Sequence, residues 1–303
     1  MVSDAYRTFG SRKKWYVFIE ADTYLSTYNL LLWLTHLDHQ RSVYAGAQVM
    51  IGNTEFAHGG SGFLLSSSAG QALASGYRER HRHWEEKLAF ECCGDKLMAE
   101  VLLAADPPTR LLRSFPSIQG ETVASLDWSP THWCAPAVTW HHVDAAGIDK
   151  LWRFEQDWRK SNGPRKPILF ADYYAAFVHP RIVAANGTLQ DWDNLSDGWT
   201  FERGKIIDPS YESVEACEQS CRDNPSCLQW AWCPGMCRAG RAVKLGWALS
   251  NRPALGSAED RIAKTGNGGN AGVVSGWLLD RIETFRTAME PCAENRGWAT
   301  HGK

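Results

Sequence analysis

The fold class that this sequence predicts is α/β, with a small cysteine-rich module attached, and three observations predict it. Apolar runs of strand length alternate with amphipathic helical stretches between Lys13 and Trp158. Five of the nine cysteines fall between Cys217 and Cys237. A chain of 303 residues with 44% hydrophobic content can fill one large core and still support a satellite domain.

Each element is read in order. "KWYVFIEAD" is a buried strand that runs into two carboxylates, Glu20 and Asp22, one residue apart. Side chains two apart on a strand project the same way, so the pair can point together into one cavity and hold a hard divalent cation. With Thr23 and Ser26 they also suit a turn and the N-cap of the next helix, "TYNLLLWLTHL". "SVYAGAQVMIG" is a second strand. "HGGSGFLLS" carries Gly59, Gly60 and Gly62 and suits a turn before the helix-forming stretch from Ser67 to Phe90, whose middle, "GYRERHRHWEEK", is very polar. "DKLMAEVLLAA" is a helix and "AVTWHHV" a short strand. On that strand His141 and His142 are expected on opposite faces, so only one of them would bind a ligand. Ile148, Leu151, Trp152 and Trp158 keep helical spacing from Asp144 onward. "KSNGPRKP" is a breaker-rich connector, "TGNGGNAG" a flexible loop, and "SGWLLDRIETFRTAME" a closing amphipathic helix.

A net charge of -2 supplies no basic field for nucleic acid. The fifteen Trp suit aromatic-lined pockets or a large aromatic core. No apolar run reaches bilayer length, and "MVSDAYRTFGSRKK" lacks the apolar centre of a signal peptide. Taken literally, those features describe a soluble cytosolic chain; the cysteines point elsewhere. Their cluster means either disulfides made in an oxidising compartment or zinc, for which Cys217/Cys221 and Cys233/Cys237 are suitably spaced. Two sequons, at Asn186 and Asn194, favour the secretory reading and are expected N-glycosylation sites. With nine cysteines, at least one lacks an intramolecular partner.

Four motifs in order, "WYVFIEADTYL", "HGGSGFLLS", "ECCGDKLMAEVLL" and "AVTWHHV", resemble the inverting β-1,3-glycosyltransferases of the Fringe and core 1 galactosyltransferase family, most of all its fungal members. The likeness runs from Lys13 to Val143. It implies a GT-A type core that binds a UDP-sugar through Mn²⁺ or another divalent cation and delivers a hexose, galactose by analogy, to a glycan or glycoprotein hydroxyl in β-1,3 linkage. Carried over residue by residue, the resemblance makes Glu20, Asp22 and His141 the metal ligands, with Asp22 the stronger acid and Glu20 acting through water. Gly59, Gly60, Ser61 and Gly62 become the loop against the bound sugars, and Asp95 the catalytic base. Gly94 stands where many relatives carry a second acid.

"SVEACEQSCRDNPSCLQWAWCPGMC" resembles a PAN or apple module. The expected division is therefore a transferase core over 1–195 and a cysteine-rich module with a C-terminal helix over 196–303. In the family a membrane anchor and the strands that hold uracil and ribose lie upstream. The resemblance thus implies the lumenal side of the Golgi membrane and a core whose first strands lie outside this chain. The alternative is a non-catalytic remnant that binds carbohydrate or protein through its apple-like module.

Overall fold

The structure, a computed structural model, describes residues 1–202, 209–251, 272–292 and 297–300. Contacts divide the chain into two compact units, one of residues 1–122, 135–170 and 294–303, the other of 123–134 and 171–293.

The first unit is built around a mixed sheet. Helix α1 (Val2–Phe9) precedes β1 (Trp15–Phe18), β2 (Tyr24–Leu25), α2 (Thr27–Leu34), β3 (Tyr44–Gly46), β4 (Gln48–Ile51), β5 (Thr54–Ala57) and β6 (Phe63–Ser66). Then come α3 (Ser67–Glu79), α4 (His81–Leu88), α5 (Gly94–Leu103), β7 (Leu111–Arg113), β8 (Thr139–Trp140) and α6 (Ala145–Asn162). The four-stranded sheet has the order β1-β6-β3-β7, antiparallel except for the parallel β3/β7 pair. Two small antiparallel pairs, β4/β5 and β2/β8, stand beside it.

Alternation along the strands explains the layers. Tyr16, Tyr44, Phe63 and Leu65 pack with Leu73, Trp84 and Leu97 of the α3, α4 and α5 side. Their strand neighbours Ala45 and Leu64 pack with Leu30 and Trp33 of α2, joined by Val17. The sheet is thus covered on both faces, which is why "FLLS" is buried at all four positions.

Several boundaries differ from those the sequence suggests. β1 stops at Phe18, which leaves Ile19 to Asp22 outside the strand. "SVYAGAQVMIG" divides between β3 and β4, because β4 leaves the main sheet to pair with β5 around Gly52, whose φ is +59°. The stretch from Ser67 to Phe90 breaks at Arg80 into two helices. α1 was not expected at all; its Tyr6 ring lies so close to Gly70 of α3 that a Cβ there would stand 2.8 Å from it.

Ser26 caps α2 by accepting the Asn29 N–H, which leaves Glu20 and Asp22 without that task. Asn29 itself is a clamp. Fully buried, it donates from Nδ2 to the carbonyls of Ala137 and Ile168 at 2.7 Å each and accepts from Ile168 N at 3.0 Å.

The second unit holds a five-stranded antiparallel sheet in the spatial order Trp199–Glu202, Met236–Gly240, Gln229–Cys233, Val274–Trp277, Thr188–Gln190. The helix Val214–Asp223 contributes Cys217 and Cys221 to its core, beside Trp230 and Leu278. Disulfides join Cys217 to Cys237, Cys221 to Cys227, and Cys134 to Cys292. The zinc alternative is thereby overturned, since three of its four thiols are committed to disulfides; Cys233 is buried. In the first unit Cys92 is bonded to Cys93.

The contact boundary falls at 170/171 rather than 195/196, because Thr188–Gln190 pairs with Val274–Trp277 and draws the preceding residues into the cysteine-rich unit. The closing "SGWLLDRIETFRTAME" starts as strand and becomes helix only over Leu279–Met289. "TGNGGNAG" lies outside the described residues except for Gly272. Among the described residues no helix is long and apolar enough to cross a membrane.

Asn29→Ala strips three hydrogen bonds from buried backbone groups. Chemical denaturation should find it destabilised by about 3 kcal/mol, with unchanged secondary structure at low denaturant.

Candidate functional site

The acids and histidines meet because two short strands pair. β2 and β8 align Tyr24 with Trp140 and Leu25 with Thr139, and the Val143 N–H donates to the Asp22 carbonyl at 2.8 Å. A turn closed by the Thr23 N–H on the Glu20 carbonyl, 3.2 Å, brings Asp22 round to the histidines. His141 Nε2 lies 3.5 Å from Asp22 Oδ1 and 3.9 Å from Glu20 Oε2. His142 Nδ1 lies 3.5 Å from Asp22 Oδ2. Single donor atoms of Asp22, His141 and His142 all fall within 4.8 Å of one another.

The expectation that His141 and His142 face opposite ways is overturned. β8 ends at Trp140, and His142 takes the left-handed conformation with φ +57°. Its ring therefore stacks on that of His141, with centroids 3.8 Å apart and planes 30° apart. His141 is buried and His142 exposed. Burial, reinforced by the neighbouring His142, holds the His141 imidazole below its ordinary pKa against the opposing pull of Asp22. A neutral imidazole is the form that ligates a metal. One carboxylate and two imidazoles are a donor set that fits a divalent transition ion.

The glycine loop joins this cluster to α5. Gly60 is packed so tightly on the histidine that a Cβ would stand 2.4 Å from His141 Cε1 and 2.6 Å from Nε2. Thr23 Oγ1 donates to the Gly60 carbonyl at 2.7 Å, and the Gly59 N–H donates to Asp95 Oδ2 at 2.9 Å. Gly62, at φ +83°, closes the turn by donating to the Gly59 carbonyl. Ser61 is buried, and both its N–H and its hydroxyl lie against His58 Nδ1, at 3.2 and 2.8 Å.

His58 is the site residue that sequence reasoning missed. Its ring stands edge-on to His141 with centroids 5.6 Å apart. Because Nδ1 accepts the Ser61 N–H, the neutral ring carries its proton on Nε2. The signal available was its place immediately before the glycine pair.

Asp95 is not an N-cap. It lies in the first turn of α5, whose N-cap is Cys93. Its Oδ1 accepts the Lys96 N–H at 2.9 Å while Oδ2 holds Gly59. Asp95, Gly59 and Glu20 line one cavity of about 1180 Å³, with Phe18 and Tyr6 among its walls.

The two sequons part company. Asn186 is exposed, in a turn with φ +48°. Asn194 is wholly buried, and its Nδ2 donates to the carbonyls of Trp230 and Gly276. The nitrogen a glycan would occupy is therefore engaged in the core of the second unit, and the expectation of a glycan at Asn194 is corrected.

Gly60→Ala should displace His141 and lower divalent-ion affinity by roughly 10–100-fold, whereas Gly59→Ala, whose Cβ would meet Asp95 Oδ2 at 3.3 Å, should leave it nearly unchanged. Calorimetric titration of both variants checks this.

No curated protein matches the chain. A family model described as Fringe-like matches residues 1–101, a stretch that contains Glu20, Asp22, the glycine loop and Asp95 but not the two histidines. That match supports the Fringe and β-1,3-glycosyltransferase-like family, and the first third of the chain is what carries the similarity.

Proposed function

We propose that this chain is a metal-dependent inverting glycosyltransferase that moves a hexose, galactose by analogy, from a UDP-sugar to a glycan hydroxyl in β-1,3 linkage. One observation carries the reading. The Fringe-like segment brings an acid pair just past a strand, a glycine loop and a helix-borne aspartate, and in the fold Gly59 holds Asp95 while Gly60 packs on His141, the neighbour of Asp22 from outside that segment.

Asp22 and His141 would hold Mn²⁺ or a similar ion, with Glu20 beside them. Such an ion, when bound, offsets the negative charge that builds on the diphosphate as UDP departs. The loop's part is close approach, since glycines at 59, 60 and 62 let the backbone come near the sugars. Asp95 is the base. The acceptor oxygen attacks the anomeric carbon, the bond from that carbon to the phosphate oxygen breaks, and the hydroxyl proton passes to an Asp95 oxygen. Each Asp95 oxygen accepts one N–H and keeps a second lone pair for that proton.

The remaining parts of the proposal follow from the family and the cysteines. We assign the enzyme to the Golgi lumen, reached through the endoplasmic reticulum whose oxidising lumen forms its disulfides, with a glycan at Asn186. The apple-like module of the cysteine-rich part would bind protein or carbohydrate.

Asp95→Asn should cut transfer by roughly 10³-fold while UDP with Mn²⁺ still raises the unfolding temperature as in the unaltered chain. Full turnover by the variant removes Asp95 as base. Stabilisation by glycans alone, with none from UDP and Mn²⁺, replaces the transferase with a carbohydrate-binding remnant.

A further inference from the structure

We infer that His142 is the third protein ligand of the ion site, in place of Glu20, and that the site therefore selects a first-row transition ion over Mg²⁺ and Ca²⁺. This deepens the transferase reading, since diphosphate oxygens would take the positions the protein leaves open.

Geometry separates the two candidates. His142 belongs to the trio whose donor atoms lie within 4.8 Å of one another, and Glu20 does not. His141 Nε2 and His142 Nδ1 each stand 3.5 Å from a carboxylate oxygen of Asp22. Two donors that share an ion at about 2.1 Å can be up to roughly 4 Å apart, so both separations suit a common ion. The Glu20 side chain, 60% exposed, reaches His141 Nε2 at 3.9 Å, within that limit for one pair, but it offers no donor atom that joins Asp22 and a histidine in a common cluster.

The backbone points the same way. Had the chain stayed extended past Trp140, the side chain after His141 would project to the far face. His142 instead adopts φ +57°, a conformation uncommon outside glycine though less so for histidine. That turn sets Nδ1 toward Asp22 and stacks the exposed imidazole on His141, with no hydrogen bond from its ring among the described residues. The resulting set is two imidazoles and one carboxylate. Imidazole suits Co²⁺ and Zn²⁺ and is accepted beside a carboxylate by the harder Mn²⁺, whereas Mg²⁺ and Ca²⁺ take oxygen ligands. Glu20 then faces the cavity it lines with Gly59 and Asp95.

The test uses the full chain with metal ions alone and no nucleotide. Mn²⁺ binding is followed by the spin-resonance signal of the free ion, and nitrogen ligands are counted by spin-echo modulation. The unaltered chain should show two coordinated imidazole nitrogens, and excess Mg²⁺ should fail to displace Mn²⁺. His142→Ala should lower Mn²⁺ affinity about tenfold or more and leave one nitrogen, while Glu20→Gln should change affinity less than about threefold. Unfolding of both metal-free variants should match the parent, since both side chains are exposed. The inference is overturned if His142→Ala binds Mn²⁺ like the parent, if Glu20→Gln loses as much, or if Mg²⁺ competes equally. A chain that binds Mn²⁺ through His142 but transfers no sugar would sink the transferase and leave this site standing.

Discussion

The contact between Gly60 and His141 is the constraint on which the site depends. A side chain at position 60 would occupy the histidine's space, so the loop can lie here only as glycine. The same loop residue accepts from Thr23, next to Asp22, and its neighbour Gly59 holds Asp95. Three segments far apart in the chain are thus fixed by one small hinge of backbone. Hydrogen bonds from N–H groups hold a carboxylate in position better than packing would, because they set direction as well as distance.

What holds the hinge still is a sheet covered on both faces. α2 on one side and α3 to α5 on the other use alternate residues of the same strands. Ser26 and Asn29 then fasten α2 to the segment that runs into β8, so the histidines share the rigidity of the core although they sit on irregular backbone. Functional groups on loops braced by a rigid scaffold are the usual arrangement. Here the brace is unusually direct: the Ser26 N–H donates to the Val138 carbonyl, three residues before His141.

Much of this was legible in the sequence, and for physical reasons. "WYVF", "TYNLLLWL" and "DKLMAEVLL" declare β1, α2 and α5 through apolar pattern and length. The acid pair stood out at the end of an apolar run, whereas the glycine loop reads locally as a turn and gains its role, like Asp95, only through the family resemblance. His142 did not stand out, because a single residue's switch to positive φ leaves no periodic trace. α1 was read only for a leader, and its polar surface hid the Tyr6 contact with Gly70. The sequon at Asn194 is a local three-residue pattern and says nothing of long-range burial, which here comes from strands at 229–233 and 274–277. Cysteine pairing is equally non-local, as the bond from Cys134 to Cys292 illustrates.

Neither compact unit is continuous along the chain, and this bears on biosynthesis. The first is closed by residues near the C-terminus, where Trp33 Nε1 donates to the Ala299 carbonyl; the second needs Cys134 to find Cys292. A nascent polypeptide emerging from the ribosome therefore cannot finish the first half before Ala299, or the second before Cys292, has been added. Such distant closures slow folding and prolong the exposure of unpaired strands and thiols, so chaperones and oxidoreductases would meet this chain as a long-lived client.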